Sequence, residues 1–318
     1  MGASNWTLVT EFIILGFPNA REIELILFAV FLLMYALTFT ENIVIILVIG
    51  MDYRLHTPMY FFISNLSVLE IGYTTVTVPK MLANIAIQSR TISITGCFTQ
   101  LYIFFFLGSA ECFLLAAMAY DRYLAICNPL HYTTMMDWRV CVRLALGSWL
   151  GGFLAPAVPT AFIFRLPFCG SNVINHFFCD SPPLLELSCR DIFEIEVINF
   201  MVDTAVLLSS FVLTMVSYIF IIATILRIPT AEGCSKAFST CASHLTIVTM
   251  FYGTTIFMCI RTKTIQAFDF NKVVSVFYSV VTPVINPIIY SLRNNDIKQA
   301  MRKKLERISY LLYIGIDM

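Results

Sequence analysis
The densest run of chemically capable residues is Met118-Ala119-Tyr120-Asp121-Arg122-Tyr123-Leu124-Ala125-Ile126-Cys127, continuing into Asn128-Pro129-Leu130-His131-Tyr132. Asp121 and Arg122 can form an ion pair. Such a pair can hold the arginine in one state and release it as a cation to a partner in another. The same pair can also be a static interfacial contact. Glu41, Glu70, Glu111 and Asp203 sit in strongly apolar surroundings, with Asn42 and Asn286 in similar settings. Ionisable groups there are costly and turn towards a protein interior. Ten cysteines are present. The four histidines, His56, His131, His176 and His244, are scattered and make no metal-ligand spacing. No Ser-His-Asp or Cys-His pairing is suggested by position, so the expectation is that the chain is not an enzyme.

These residues are carried by long apolar segments. The chain of 318 residues is 58% hydrophobic and 13% charged, against about 45–50% apolar and about 25% charged for a soluble domain. No soluble globule of this length has interior enough for that surplus, so the solvent is lipid. The formal net charge is zero, which gives no basic footprint for nucleic acid. Spans of about 20 apolar residues cross hydrocarbon. They fall at roughly Leu25–Ile49, Pro58–Ile85, Cys97–Ile126, Val140–Phe162, Glu196–Leu226, Ser235–Ile260 and Lys272–Ser291. Lipid leaves backbone polar groups no partner outside the chain, so each must be a helix. The fold class is an all-α membrane protein, a seven-transmembrane helix bundle. Ile297, Met301, Leu305 and Ile308, interleaved with Lys and Arg, add a short amphipathic C-terminal helix on the membrane face.

We expect a single domain over residues 1–318, with a tail at 1–24, the bundle at 25–291 and a second tail at 292–318. Twelve of the twenty Lys and Arg residues fall on one side if the N-terminus lies outside. Basic residues favour the cytoplasm, so the expectation is a multi-pass plasma-membrane protein, N-terminus out and C-terminus in. Asn5-Trp6-Thr7 is then an N-glycosylation triplet on the outer side. No cleavable signal peptide is visible. Cys97, Cys169, Cys179 and Cys189 fall on that side too, where disulfides persist. Four cysteines allow three pairings, and the sequence does not choose. His176 and Cys179 have a spacing that a metal could use, but disulfide chemistry explains Cys179 more simply. From Cys97 to Arg122 is 25 residues, about 37 Å of helix, so the two lie at opposite membrane faces.

The stretch around Arg122 resembles the odorant receptors, a branch of the rhodopsin-like G-protein-coupled receptors. The resemblance covers nearly the whole chain: Pro58-Met59-Tyr60-Phe61-Phe62 opens the second span, Lys236-Ala237-Phe238-Ser239-Thr240-Cys241-Ala242-Ser243-His244-Leu245 the sixth, Phe251-Tyr252-Gly253 sits mid-span, and Pro287-Ile288-Ile289-Tyr290-Ser291-Leu292-Arg293-Asn294 closes the seventh. Two positions depart from the family's habit: Glu41, where Gly is usual, and Glu70, where Asp is commoner.

The resemblance implies that Cys97 pairs with Cys179, and Cys169 with Cys189. It implies activation or coupling roles for Asp121, Arg122, Tyr123, Tyr218, His244, Asn286, Pro287 and Tyr290. It places a ligand pocket for a small volatile odorant among Phe104, Phe105, Gly108, Ser109, Cys112, Val202, Asp203, Val206, Tyr252, Thr255, Cys259, Tyr278 and Ser279. Phe104 stands where aminergic receptors carry an aspartate, which disfavours an amine held at that point. Asp203 could hydrogen-bond a ligand hydroxyl, pair with a cation, or sit protonated. The implied partner is a stimulatory olfactory-type G protein raising cyclic AMP. Glu70 is expected to face Glu111; two close carboxylates cannot both ionise unpaired, so they share a proton, hold a sodium ion, or join a neutral hydrogen-bond network. No other cofactor is expected. Pro283 and Pro287 interrupt the seventh helix and, with Asn286 and Tyr290, form a hinge or a fixed kink.

A transporter or channel would show repeats, broken helices or polar pore rings, and beyond the kinked seventh span none is evident. A retinal pigment needs a mid-membrane lysine, whereas Lys272 lies at a span's end.

Overall fold
The computed structural model describes residues 9–17, 21–169, 171–260, 268–293 and 297–302. Asn5 lies outside them, as do Leu305 and Ile308 of the expected tail helix. The side chain of Cys259 is likewise outside the description.

Seven long helical segments make the bundle: α1 Arg21–Met51, α2 Pro58–Ile87, α3 Ile94–Cys127, α4 Trp138–Leu154 continued by Ala157–Phe164, α5 Phe193–Ile225, α6 Ala231–Ile260, and α7 Phe268–Val276 continued through Phe277–Val281 to Thr282–Arg293. Among the described residues six helices are long and apolar enough to cross a membrane. Large apolar side chains stay exposed on the helices, among them Leu33, Leu146, Leu150, Leu208, Leu213 and Phe220. On a soluble protein such a surface would aggregate; against lipid it costs nothing.

The helix ends follow local chemistry. Pro58 opens α2 at a position where its missing N–H is no loss. The side chains of Ser93 and Asp137 cap α3 and α4, accepting from the amides of Gly96 and Val140. Two spans are less regular than expected. The fourth breaks at Ala155–Pro156, because proline supplies no donor to the helical ladder. The seventh widens into a π-turn at Phe277–Val281, just ahead of Pro283 and Pro287. There Thr282 Oγ1 donates to the Phe277 carbonyl at 3.0 Å. Inserted turns of this kind mark functional segments. Residues 297–302 are helical, with Ile297 and Ala300 buried on the bundle and Lys298 and Arg302 exposed.

α3 is the central post, packed on α2, α4, α5 and α6. Its contact with α4 is close because Gly152 has no side chain: a Cβ there would lie 2.5 Å from the Ala110 amide nitrogen. Trp149 Nε1 adds a 3.0 Å bond to Asn65 Oδ1, tying α4 to α2.

A small sheet covers one end of the bundle. Strand β1 (Glu11–Ile14) lies between β2 (Thr91–Ser93), to which it is antiparallel, and β3 (Val173–Ile174), to which it is parallel. Gly16, at φ +66°, turns the chain after β1, and Phe17 then stacks near Phe31 and Phe177. At this end Cys97 is bonded to Cys179 and Cys169 to Cys189, with Cα separations of 5.5 and 5.8 Å. Cys179 is thereby committed to a disulfide, which removes the pairing with His176 as metal ligands. His176 instead stacks on Phe177 and meets Ser275 Oγ at 3.2 Å.

The α3–α4 contact yields a prediction. Gly152→Val should destabilise the protein by about 1–3 kcal/mol through overpacking. Gly147, with open space around it, should accept alanine without loss. Thermal unfolding of the detergent-purified protein compares the two.

Candidate functional site
Three features line the bundle interior from the disulfide end to the Arg122 end. The first is a cavity of about 360 Å³ between α3, α5, α6 and α7. Phe104, Phe105, Gly108, Ser109 and Cys112 of α3 all line it. So do Asp203 and Val206 of α5, Thr255 of α6 and Tyr278 of α7. Gly108 makes room here, since its Cβ would stand 3.2 Å from the Tyr73 hydroxyl.

Three expected lining residues lie elsewhere. Val202 borders a side crevice of about 20 Å³ against α4, which shares Phe105, Ser109, Asn199 and Asp203 with the cavity. Tyr252 is 2% exposed and packs edge-on to Phe211 at 5.2 Å, its hydroxyl reaching towards the Cys112 carbonyl. One residue is 100° of helix turn, so Phe251 takes the wall position instead. Ser279 is fully buried and donates to the Ser275 carbonyl at 2.6 Å; the π-turn resets the face that this part of α7 presents.

The wall also contains residues that the sequence reading omitted. Glu196, Asn199, Asp203 and Val206 make one stripe on α5 at steps of three and four, a signal visible in sequence. Tyr73 and Asp180 arrive from α2 and from the loop after Cys179, which no local pattern announces. Gln100 fastens that loop, accepting from the Cys179 amide at 2.9 Å and donating to the Val76 carbonyl at 2.7 Å.

The second feature is a buried polar cluster deeper in the bundle. Asn286 Nδ2 donates to Glu70 Oε1. Glu111 Oε1, Asn286 Oδ1 and the Tyr290 hydroxyl are buried with no hydrogen-bond partner among the described residues. Glu111 is 7% exposed and Glu70 3%. Asn42 lies apart from this bond, its amide donating to the Thr38 carbonyl at 2.9 Å. Among the described residues no three His, Cys, Asp or Glu side chains gather closely enough to hold a metal ion.

The third feature lies at the far end of α3. Arg122 Nε donates to Asp121 Oδ2 at 2.9 Å, and Asp121 is fully buried. The Tyr132 hydroxyl donates to the other carboxylate oxygen at 2.8 Å. Burial, and then the Asp121 charge, push the Tyr132 hydroxyl up from its ordinary range, so it stays a protonated donor at physiological pH. The loop sequence alone does not show that Tyr132 folds back to α3. The Tyr218 hydroxyl meets His244 Nδ1 at 2.7 Å, joining α5 to α6. Tyr123 packs beside Tyr120 and Phe220.

The family model described as "Olfactory receptor" matches residues 31–307. This chain belongs to the olfactory receptor family. It is 50% identical to human olfactory receptor 6N1 over 311 residues, spanning 98% of this chain and all of that protein. It is 56% identical to human olfactory receptor 6Q1 over 299 residues, 93% of this chain and 94% of that one. Mouse olfactory receptor 6B9 is 49% identical over 301 residues, 95% of each. As an olfactory receptor the chain is a multi-pass plasma-membrane protein and a G-protein-coupled signalling receptor for odorants, not an enzyme.

The deeper cluster carries a prediction independent of signalling. Asn286→Leu removes the donor from the buried Glu70 carboxyl and should cost about 1–3 kcal/mol. A lowered midpoint of thermal unfolding is expected, whereas Asn199→Leu, at the cavity wall, should change it less.

Proposed function
We propose that this olfactory receptor binds a small volatile odorant in the 360 Å³ cavity and activates a stimulatory olfactory-type G protein, raising cyclic AMP. The observation that carries this reading is one helix with a job at each end: α3 contributes Phe104, Phe105, Gly108, Ser109 and Cys112 to the cavity and Asp121–Arg122 to the opposite mouth. The cavity's size and mostly apolar wall suit a small ligand. The disulfide end is the extracellular one, where bonded cysteines persist. The N-terminal tail, with Asn5 glycosylated, is outside, the tail after α7 is cytoplasmic, and the whole of 1–318 works as one receptor domain in contact with lipid.

In this reading the resting receptor keeps Arg122 on Asp121 with Tyr132 as a second brace. Ligand in the cavity shifts α5 and α6, whose Tyr218–His244 bond lies between cavity and mouth. Tyr290, on the proline-broken half of α7 with Asn286 and Pro287, moves inward, and Arg122 and Tyr123 become available to the G protein. Glu70 and Glu111 supply oxygen donors of the kind a sodium ion takes, and Asn286 Oδ1 adds a neutral one; a shared proton is the other way to balance the two carboxyls.

A cell line reporting cyclic AMP, screened with a broad odorant panel, should give at least one concentration-dependent response. Arg122→Ala should abolish that response with surface expression intact, and an unchanged response would remove the arginine from the coupling role. Asp121→Asn should raise the ligand-free signal by loosening the hold on Arg122. For the ion site, Glu111→Gln should weaken the dependence of the response on sodium concentration; the same sodium dependence in variant and parent would point to a neutral network.

A further inference from the structure
The polar atoms of the cavity wall are unequal in kind. Among the described residues four carboxyl side chains line it, Glu111, Asp180, Glu196 and Asp203, and no Lys, Arg or His does. Asp180 and Glu196 are engaged by other groups; Asp180 also accepts from the Ser181 amide at 2.8 Å. Asp203 has no hydrogen bond or ion pair among the described residues, and Asp180 is a like charge acting on it. It sits about three turns into a membrane-spanning helix, where a carboxylate without a counter-charge is costly.

Several neutral groups tilt the same way, beside hydroxyls such as those of Tyr73, Ser109 and Thr204 that can donate or accept. Thr254, Thr255 and Thr282 spend their hydroxyl protons on the Met250, Phe251 and Phe277 carbonyls. They offer the cavity lone pairs and no donor. Asn199 uses its amide N–H on Ser181 Oγ at 2.9 Å, leaving Oδ1 buried and unpartnered. Glu111, 7% exposed, lines the same cavity with Oε1 unpartnered. Buried acceptors without donors are rare and call for one. Apolar surface fills the rest, from Phe104, Phe105, Phe251, Val206 and Leu207.

We propose that the cavity takes an odorant bearing a protonated amine, with the ammonium seated at Asp203 and Asn199 on α5 and the hydrocarbon body against Phe104, Phe105 and Phe251. The proposal rests on the reading of this cavity as the ligand site. An ammonium brings N–H donors and no acceptor, the complement of the Asp203 carboxyl and of Asn199 Oδ1. A carboxylic acid would bring negative charge to a wall that already holds four acids. The amine is not held at Phe104, where α3 offers only a ring; the counter-charge comes from α5 instead.

The test uses the full-length receptor purified in detergent, at fixed sodium concentration, with three probes on one skeleton: heptylamine, heptan-1-ol and heptanoic acid. A second set, 2-phenylethylamine, 2-phenylethanol and phenylacetic acid, varies the apolar body. Bound ligand raises the unfolding temperature. One or both amines should do so at concentrations about tenfold below the matching alcohol, the margin expected of a charge-assisted hydrogen bond, and the acids should have no effect. Asp203→Asn should erase the amine's advantage, and Asp203→Glu, which keeps the carboxylate, should retain much of it. The proposal fails if an acid or alcohol equals the amine, if Asp203→Asn keeps the amine's advantage, or if neither amine shifts the unfolding temperature. Cyclic AMP responses to non-amine odorants, with amines inert, would overturn the ligand class and leave the receptor reading intact. Amine binding in a chain that raises no cyclic AMP with any ligand would do the reverse.

Discussion
Hydrocarbon on the outside decides the rest of this structure. A backbone N–H or C=O facing lipid has no partner, so every long segment closes its hydrogen bonds within itself as a helix. Side chains obey the same rule with the sign reversed from a soluble protein. Leucine and phenylalanine are free to face out, and the polar groups crowd inward. Glu70, Glu111, Asn286, His244 and Asp121 are all buried in the bundle. Segregation of polar groups to the interior therefore gives the protein both its stability problem and its internal polar features.

α3 carries this logic along its length. Near its start Cys97 anchors the loop that bears Asp180 and Ser181. Through its middle it presents aromatic rings, a glycine gap and Glu111. At its end Asp121 holds Arg122 in place. α5 and α6 both pack on this post between its two ends. Gly152 shows how close the packing is, with no room for one methyl group between α4 and Ala110.

Much of the fold is legible in the residues. The seven apolar runs give the helices, and the motifs around Arg122, His244 and Pro287 give the family. The α3 side of the cavity follows from helical spacing, which is why all five of its expected residues reach the wall. Spacing fails where the helix is irregular or the partner is distant. Tyr252 and Phe251 differ by one residue, and hydropathy does not say which of two aromatic rings turns inward. Ser279 is misplaced because the π-turn at Phe277–Val281 shifts the phase of α7. Tyr73, Asp180 and Tyr132 reach their sites by tertiary folding, from another helix or from loops. The strand pairing of β1 is illegible for the same reason, since its partners lie about 80 and 160 residues further along the chain.

That sheet constrains how the protein is made. Synthesis runs from the N-terminus, so β1 emerges long before Val173 and Ile174 of β3 exist to receive it. Until the chain has been extended past α4, the β3 edge of β1 is open and can pair with any neighbouring chain. The strand translated first is thus among the last to settle, and a nascent receptor must shelter an open edge for about half the length of its own translation.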